Sequence, residues 1–266
     1  MSERLSERAG QGAEAAVLTD VRGHVLVVTI NRPEAKNAVS GAVAQGIAAA
    51  MDRLDSADEL RVGVLTGAGG TFCAGMDLKG FLTGDSPMVE GRGFGGLVEA
   101  PPRKPLIAAV EGFALAGGFE LTLACDLVVA AEDATFGVPE VKRALVAGAG
   151  AAMLLPQRIP LAQAMELLLV GDPITSGRAA ELGLVNRVVA SGAALDAAVE
   201  LAEKIAANGP LAVAATKQVA REGSGWSADE AWAKQMEILM PVFVSEDAQE
   251  GPRAFAEKRA PQWKGR

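Results

Sequence analysis

Gly112-Phe113-Ala114-Leu115-Ala116-Gly117-Gly118-Phe119-Glu120 stands between two apolar runs, Ile107-Ala108-Ala109-Val110 and Leu127-Val128-Val129-Ala130. Short runs of this kind read as buried strands. Leu121 to Cys125 reads as a short helix between them. A small-residue turn from a strand into a helix leaves backbone N–H groups free at the helix N-terminus. Gly117 and Gly118 remove the side chains that would block close approach to those donors. Glu120 falls in the first helical turn, beside the same spot. Backbone donors next to a carboxylate can hold an oxyanion while a proton moves. A close-packed turn with a solvated Glu would look the same in this stretch alone, so the flanking chain has to decide.

Working towards the N-terminus, Val62-Gly63-Val64-Leu65-Thr66 and Val25-Leu26-Val27-Val28-Thr29-Ile30 are strands by length and β-branched content. Between them Ser40 is placed as an N-cap, and Val43, Ile47, Met51 and Leu54 make one apolar helix face. A second glycine turn, Gly67 to Lys79, follows the strand that starts at Val62. Residues 80–102 are glycine-rich with little periodicity and read as a mobile loop with at most a short helix, a place for a substrate lid. Towards the C-terminus, Ala134 to Glu140 is a third turn and Ala147-Gly148-Ala149-Gly150-Ala151 opens a helix. Leu161–Val170 and Ser176–Leu182 are helices, and Leu184–Val189 returns as a strand. Beyond it only helices are expected: one through Leu195 and Ile205, one from Pro210, one opened by a Ser227/Glu230 capping box, and one over 245–258. The chain is thus read as an α/β core, residues 17–191, followed by a helical region, 192–266, and preceded by a flexible tail, 1–16.

The chain has 266 residues, half of them hydrophobic, which is enough for a substantial core. Acidic residues outnumber basic ones, 33 to 25, for a net charge of −8. That balance argues against non-specific nucleic-acid binding, while leaving room for an anionic small ligand on local cations and helix N-termini. Two cysteines, Cys73 and Cys125, and the single His24 supply neither a disulfide framework nor a zinc motif nor a Ser-His triad, so no metal is expected. The polar N-terminal segment has no apolar secretory core, and no run is long enough to span a bilayer. A soluble, cytoplasmic protein with no membrane partner is the expectation.

The familiar glycine motifs fail. Gly67-x-Gly69-Gly70 needs a third glycine where Phe72 stands, Gly148 and Gly150 need one where Met153 stands, and no phosphate loop exists. What survives is a pair of glycine turns, Cys73-Ala74-Gly75-Met76-Asp77 and Ala116-Gly117-Gly118-Phe119-Glu120, each offering one backbone N–H to a common point. With them come two carboxylates, Glu120 and Glu140, separated by one helix and one strand and so returned to the same end of the sheet. Two donors and two carboxylates suit chemistry on a carbonyl that becomes an enolate.

At these residues the chain resembles the crotonase (enoyl-CoA hydratase/isomerase) superfamily. The matching pieces are Asn31-Arg32-Pro33, Phe72 to Leu78, Gly112 to Glu120, Phe136-Gly137-Val138-Pro139-Glu140 and Gly148-Ala149-Gly150, in matching order and spacing from about residue 17 to the C-terminus. The resemblance implies a spiral of β-β-α units with a helical C-terminal trimerisation region, assembly as a homotrimer or homohexamer, and acyl-CoA thioester substrates. It implies hydration of an enoyl-CoA by Glu120 and Glu140, an oxyanion hole from the N–H groups of Ala74 and Gly117, and no cofactor beyond the CoA of the substrate. Substrate contacts are implied for Ala35, Lys36, Ala74 to Leu78 (with Gly75, Met76 and Asp77), Gly117, Gly118, Pro139, Glu140 and Gly148, and for Phe255 and Lys258. Ala116 departs from the family by standing where hydratases usually have a third Gly, and Ala151 where they often have Gly. The tail from Ser245 to Arg259 also resembles carnitinyl-CoA dehydratases. Δ3,Δ2-enoyl-CoA isomerisation, and acyl-CoA binding without turnover, are the other activities the scaffold admits.

Overall fold

Parallel strands buried on both faces explain why the apolar runs above are continuous rather than alternating. The computed structural model describes residues 15–266. Of the expected tail, residues 1–16, all but Ala15 and Ala16 lie outside the described residues. Val17–Arg22 (β1) pairs antiparallel with Val25–Ile30 (β2). Helix α1, Gly41–Ser56, follows, capped by Ser40, whose Oγ accepts the Val43 N–H at 3.3 Å, and the expected face from Val43 to Leu54 is buried. Next come Val62–Gly67 (β3), Leu78–Leu82 (α2) and the two-stranded hairpin Met88–Val89 (β4) and Gly93–Phe94 (β5). The central unit is Leu106–Val110 (β6), Phe113–Leu115 (β7) and Gly117–Ala124 (α3). It is followed by Leu127–Ala131 (β8), Thr135–Gly137 (β9), Ala151–Arg158 (α4) and Leu161–Val170 (α5). Ile174–Thr175 (β10), Ser176–Glu181 (α6) and Arg187–Val189 (β11) complete the strands. Four helices finish the chain: Ala194–Ala206 (α7), Pro210–Glu222 (α8), Ala228–Phe243 (α9) and Glu246–Ala256 (α10).

The main sheet has the order β1-β2-β3-β6-β8-β11, parallel from β2 onward. A second ladder runs above it. β7 pairs parallel with β9, and β9 antiparallel with β10. Single parallel bridges, Cys73 to Ala114 and Val39 to Met76, extend that ladder backwards through the glycine turn and the loop after β2. β2, β3, β6 and β8 are thus each followed by a short segment in the second ladder and then by a helix. This is the spiral of β-β-α units that the resemblance implied, and it lines up the loop at Lys36, the turn at Ala74 and the turn at Gly117 along one edge.

One face of the main sheet, with Leu26, Val28, Leu65 and Ala108, packs on α1 and α3. The other, with Val25, Val27, Val62, Val64, Ile107 and Val129, is covered by Ala198, Val199 and Ala202 of α7. Helix α8 is tied to the core by Lys217, whose Nζ donates to the Pro102 and Lys104 carbonyls and pairs with Asp126 at 2.7 Å, and by Arg221, which pairs with the same carboxylate at 2.8 Å. Helix α9 buries none of its side chains. No helix of the described residues is long and apolar enough to cross a membrane.

Four details differ from the sequence reading. β1 was not expected as a strand: it is a mostly exposed edge with polar Thr19, Asp20 and Arg22, so its pattern carries no apolar signal. Helix α3 begins at Gly117, four residues before Leu121, because the free donors of the glycine turn are its first turn. Residues 80–102 hold the hairpin besides α2, and are anchored by buried Phe94 and Leu97. Gly96 lies so close to α1 that a Cβ there would meet the Ala44 carbonyl at 2.2 Å. The Ser227/Glu230 capping box does not form; the Ser227 Oγ donates to the Glu230 carboxylate at 2.8 Å instead of accepting a helix N–H.

Candidate active site

The two glycine turns meet as neighbours in the second ladder. The Cys73 N–H donates to the Phe113 carbonyl (3.1 Å) and the Leu115 N–H to the Cys73 carbonyl (3.0 Å). Contact is close enough that a Cβ on Gly75 (φ +103) would sit 2.8 Å from the Ala116 Cβ and 3.2 Å from the Gly117 nitrogen. A Cβ on Gly118 would meet the Cys73 carbonyl oxygen at 2.2 Å. Gly75 and Gly118 are therefore packing glycines beneath the site, and neither lines the cleft. Ala116 turns the chain into α3 with φ 52° and ψ −129°, and its N–H donates to the Gly137 carbonyl at 2.8 Å. That conformation is costly for any residue with a Cβ and favours glycine.

The Phe119 and Glu120 N–H groups turn back onto the Ala116 carbonyl, whereas those of Gly117 and Gly118 have no partner among the described residues. The Ala74 N–H is engaged: it donates to the Lys36 carbonyl at 3.0 Å. Lys36 and Asn37 are both left-handed, with φ 53° and 55°. They are held by the fully buried Asn37 side chain, which accepts from the Arg32 N–H and donates to the Ala68 and Thr71 carbonyls at 2.8 and 2.6 Å. Sequence reading missed Asn37, although its place directly after Lys36 in a polar loop between two strands is the kind of position where Asn tolerates the left-handed region.

Glu120 is 2 % exposed, and its Oε1 accepts the Ala151 N–H at 3.0 Å. Burial pushes its pKa up to about 7; the Ala151 N–H opposes the rise, the nearby Glu140 charge adds to it, and the Ala149 backbone opposes it. Glu140 sits on the 3-10 turn Pro139–Arg143. Burial raises its pKa too, and its Oε2 is buried without a hydrogen-bond partner. An unpaired buried carboxylate oxygen favours the protonated form.

Both carboxylates line a cleft of about 930 Å³ together with Lys36, Ala74, Met76, Leu78, Ala116, Gly117, Pro139 and Gly148. The hairpin segment and α4 add Phe94, Val98, Met153 and Leu154, none of which the sequence singled out. The glycine cluster around residues 93–96 was the one available signal for the first pair. Other expected contacts stand apart from the cleft lining. Ala35 closes the short 3-10 turn after Arg32. Asp77 is the N-cap of α2, accepting the Lys79 and Gly80 N–H groups, and pairs with Arg32 at 2.9 Å. Phe255, 87 % exposed, and Lys258 lie at the end of α10, outside the cleft of their own chain. Cys73 and Cys125 are buried free thiols whose pKa values are pushed up by burial to about 12, which leaves them unreactive.

Comparison with known proteins agrees with this geometry. The family model for enoyl-CoA hydratase/isomerase matches residues 20–266. Enoyl-CoA hydratase EchA19 of Mycobacterium tuberculosis is 46 % identical over 257 residues, covering 94 % of this chain and 96 % of that protein. Carnitinyl-CoA dehydratase of Proteus mirabilis is 41 % identical over 253 residues, covering 92 % and 97 %. Among solved structures, an enoyl-CoA hydratase from Mycobacterium tuberculosis H37Rv superposes with a TM-score of 0.94 at 61 % identity, covering 95 % of this chain and 100 % of that one. The enoyl-CoA hydratase of Bacillus anthracis does so with 0.86 at 35 % identity, covering 94 % and 100 %. With two carboxylates and an open helix N-terminus in one apolar cleft, on a spiral shared along nearly its whole length, the chain belongs to the enoyl-CoA hydratase/isomerase family.

Proposed function

We propose that the protein is a hydro-lyase that reversibly adds water across the 2,3-double bond of an enoyl-CoA thioester. The observation that carries this reading is the contrast between the two buried carboxylates: Glu120 is held by the Ala151 N–H, while Glu140 leaves one oxygen unpaired beside it. Glu120 takes a proton from water as the hydroxyl oxygen bonds to C3. The π electrons move through C2 onto the thioester oxygen, and Glu140 delivers a proton to C2 as the enolate collapses. The Gly117 N–H, free among the described residues at the start of α3, receives the oxyanion, whereas the Ala74 N–H expected beside it stays on the Lys36 carbonyl. Such a donor is worth roughly 3–4 kcal/mol in the transition state. These groups supply both proton transfers and the charge stabilisation, so the reading calls on no cofactor beyond the CoA of the substrate.

Lys36, Met76 and Leu78 line the mouth of the CoA groove, with Ala35 and Asp77 behind them as supports. The apolar wall from Phe94 to Leu154 suits a hydrocarbon acyl group. Phe255 and Lys258 act on CoA held by a neighbouring subunit in a homotrimer or a pair of trimers, a role that fits their exposure away from their own cleft. A reducing, cytoplasmic setting fits the two free thiols. The test is loss of enoyl absorbance on mixing with crotonyl-CoA. Glu120→Gln and Glu140→Gln are each expected to lower turnover by at least about 100-fold while acyl-CoA binding survives. Turnover near the wild-type rate in either variant would show that this Glu is structural and that the two-carboxylate mechanism is wrong.

A further inference from the structure

Helix α3 is open at the end that faces the cleft and closed at the other. A helix leaves its last carbonyls without partners inside itself. Here each one finds a partner: the Leu121 carbonyl accepts the Cys125 thiol (3.3 Å), Thr122 the Cys125 N–H (3.2 Å), and Ala124 the Arg221 guanidinium (2.8 Å). The Leu123 carbonyl accepts the Arg158 guanidinium, which also reaches the Cys125 carbonyl at 3.3 Å. Arg158 is the last residue of α4, and the first residue of α4 is Ala151, whose N–H holds the Glu120 carboxylate. So α4 lies alongside α3 and grips it at both ends. Among the described residues Arg158 makes the only side-chain hydrogen bonds from α4, and the N-terminus of α4 has no side-chain cap, only Gly150 at φ 119°.

We propose that Arg158 is a positioning residue for Glu120: by seating the far end of α4 on α3 it sets the Ala151 N–H against the Glu120 carboxylate. Its cation also lies at the negative end of the α3 dipole, where it offsets that end. The inference rests on the reading of Glu120 as the residue that activates water. The charged groups around the two positions are Glu140 near Glu120, and Arg221 and Asp126 near Arg158, with Lys217 paired to the same Asp126. Glu120 lies four residues before the last residue of α3, which at the helical rise puts the cation about 6 Å further along the helix axis. Losing the cation and loosening the Ala151 N–H, which opposes the rise, is expected to move the Glu120 midpoint upward by about one pH unit.

Glutamate labelled with 13C at the carboxyl carbon reads the Glu120 titration by NMR, with Glu120→Gln identifying the signal. In Arg158→Gln the midpoint is expected to move from about 7 to about 8, cutting the ionised fraction at pH 7 about fivefold. Turnover of crotonyl-CoA at pH 7 should fall by about that factor with KM within twofold, and recover at higher pH. Arg158→Lys keeps the charge but ends one bond short of the guanidinium Nη2 that reaches the Leu123 and Cys125 carbonyls, so its Ala151 amide should exchange with solvent at least about tenfold faster than in wild type. If Arg158→Gln does not fold, that exchange rate carries the test. An unmoved Glu120 midpoint in Arg158→Gln, or wild-type Ala151 exchange in Arg158→Lys, overturns the proposal whatever happens to activity. A moved midpoint with unchanged turnover upholds the positioning and instead removes Glu120 from the water-activating role.

Discussion

Burying Glu120 lowers stability at the pH where the proposed mechanism needs it ionised. Its pKa in the folded chain, about 7, lies above the ordinary glutamate value of 4.5. Between those values the folded state binds the extra proton, so stability falls as pH rises through the window and stays low above it. The full difference corresponds to about 3 kcal/mol. Glu120→Gln keeps an oxygen for the Ala151 N–H and removes the buried charge. It should therefore melt above wild type at pH 8, with the advantage shrinking towards pH 5, where Glu120 is already protonated. Thermal unfolding at the two pH values checks this, and an advantage independent of pH would mean that burial does not perturb this carboxyl. Ala116 is a second stressed residue, held at φ 52° by the bond from its N–H to Gly137 and by the turn beneath it.

At the scale of elements, the glycine turns work because backbone lies on backbone. Gly118 has no room for a Cβ, since the obstacle is the Cys73 carbonyl at 2.2 Å, itself fixed by the Leu115 N–H. Gly148 has its nearest obstacle, the Val146 carbonyl, at 3.7 Å. The two substitutions should separate cleanly: Gly118→Ala is expected to cost at least about 2 kcal/mol, and Gly148→Ala to stay within about 0.5 kcal/mol of wild type. Denaturant unfolding measures both, and equal costs would show that the contact between α3 and the Cys73 turn is loose. The same contact explains why α3 starts at Gly117. Gly117 and Gly118, which read as a turn in the sequence, are pinned as the start of the helix by the neighbouring strand, an interaction no local pattern records.

Across the whole molecule, the C-terminal helices divide by burial. α7 is part of the core, and α8 is clamped to it through Asp126. α9 presents Trp232 at 75 % exposure, with Met236, Met240 and Phe243, and the chain continues into exposed Val244. An apolar face of that size fits the subunit interface of the proposed trimer, where closed rotational symmetry would cover it in every copy. Light scattering on the purified protein is expected to give three or six times the 27.2 kDa of one chain. A mass near one chain at micromolar concentration would sink the assembly. Trp232→Glu should lower the measured mass by placing a charge in the covered face.

The five parallel strands of the main sheet, the helices, the two glycine turns and the two carboxylates were legible in the sequence because each rests on local chemistry: β-branched runs, residues that tolerate tight turns, and two Glu residues one helix and one strand apart. What only the tertiary structure decided is how these pieces meet. The Ala74 N–H is occupied by Lys36, Asp77 caps a helix rather than lining the cleft, and Phe94 reaches the site from a segment without periodicity. Ala151 binds Glu120 through its backbone, and backbone donors carry no residue-specific mark in a sequence. The unequal hydrogen bonding of Glu120 and Glu140 likewise arises from burial and from neighbours distant in the chain, which folding alone brings within reach.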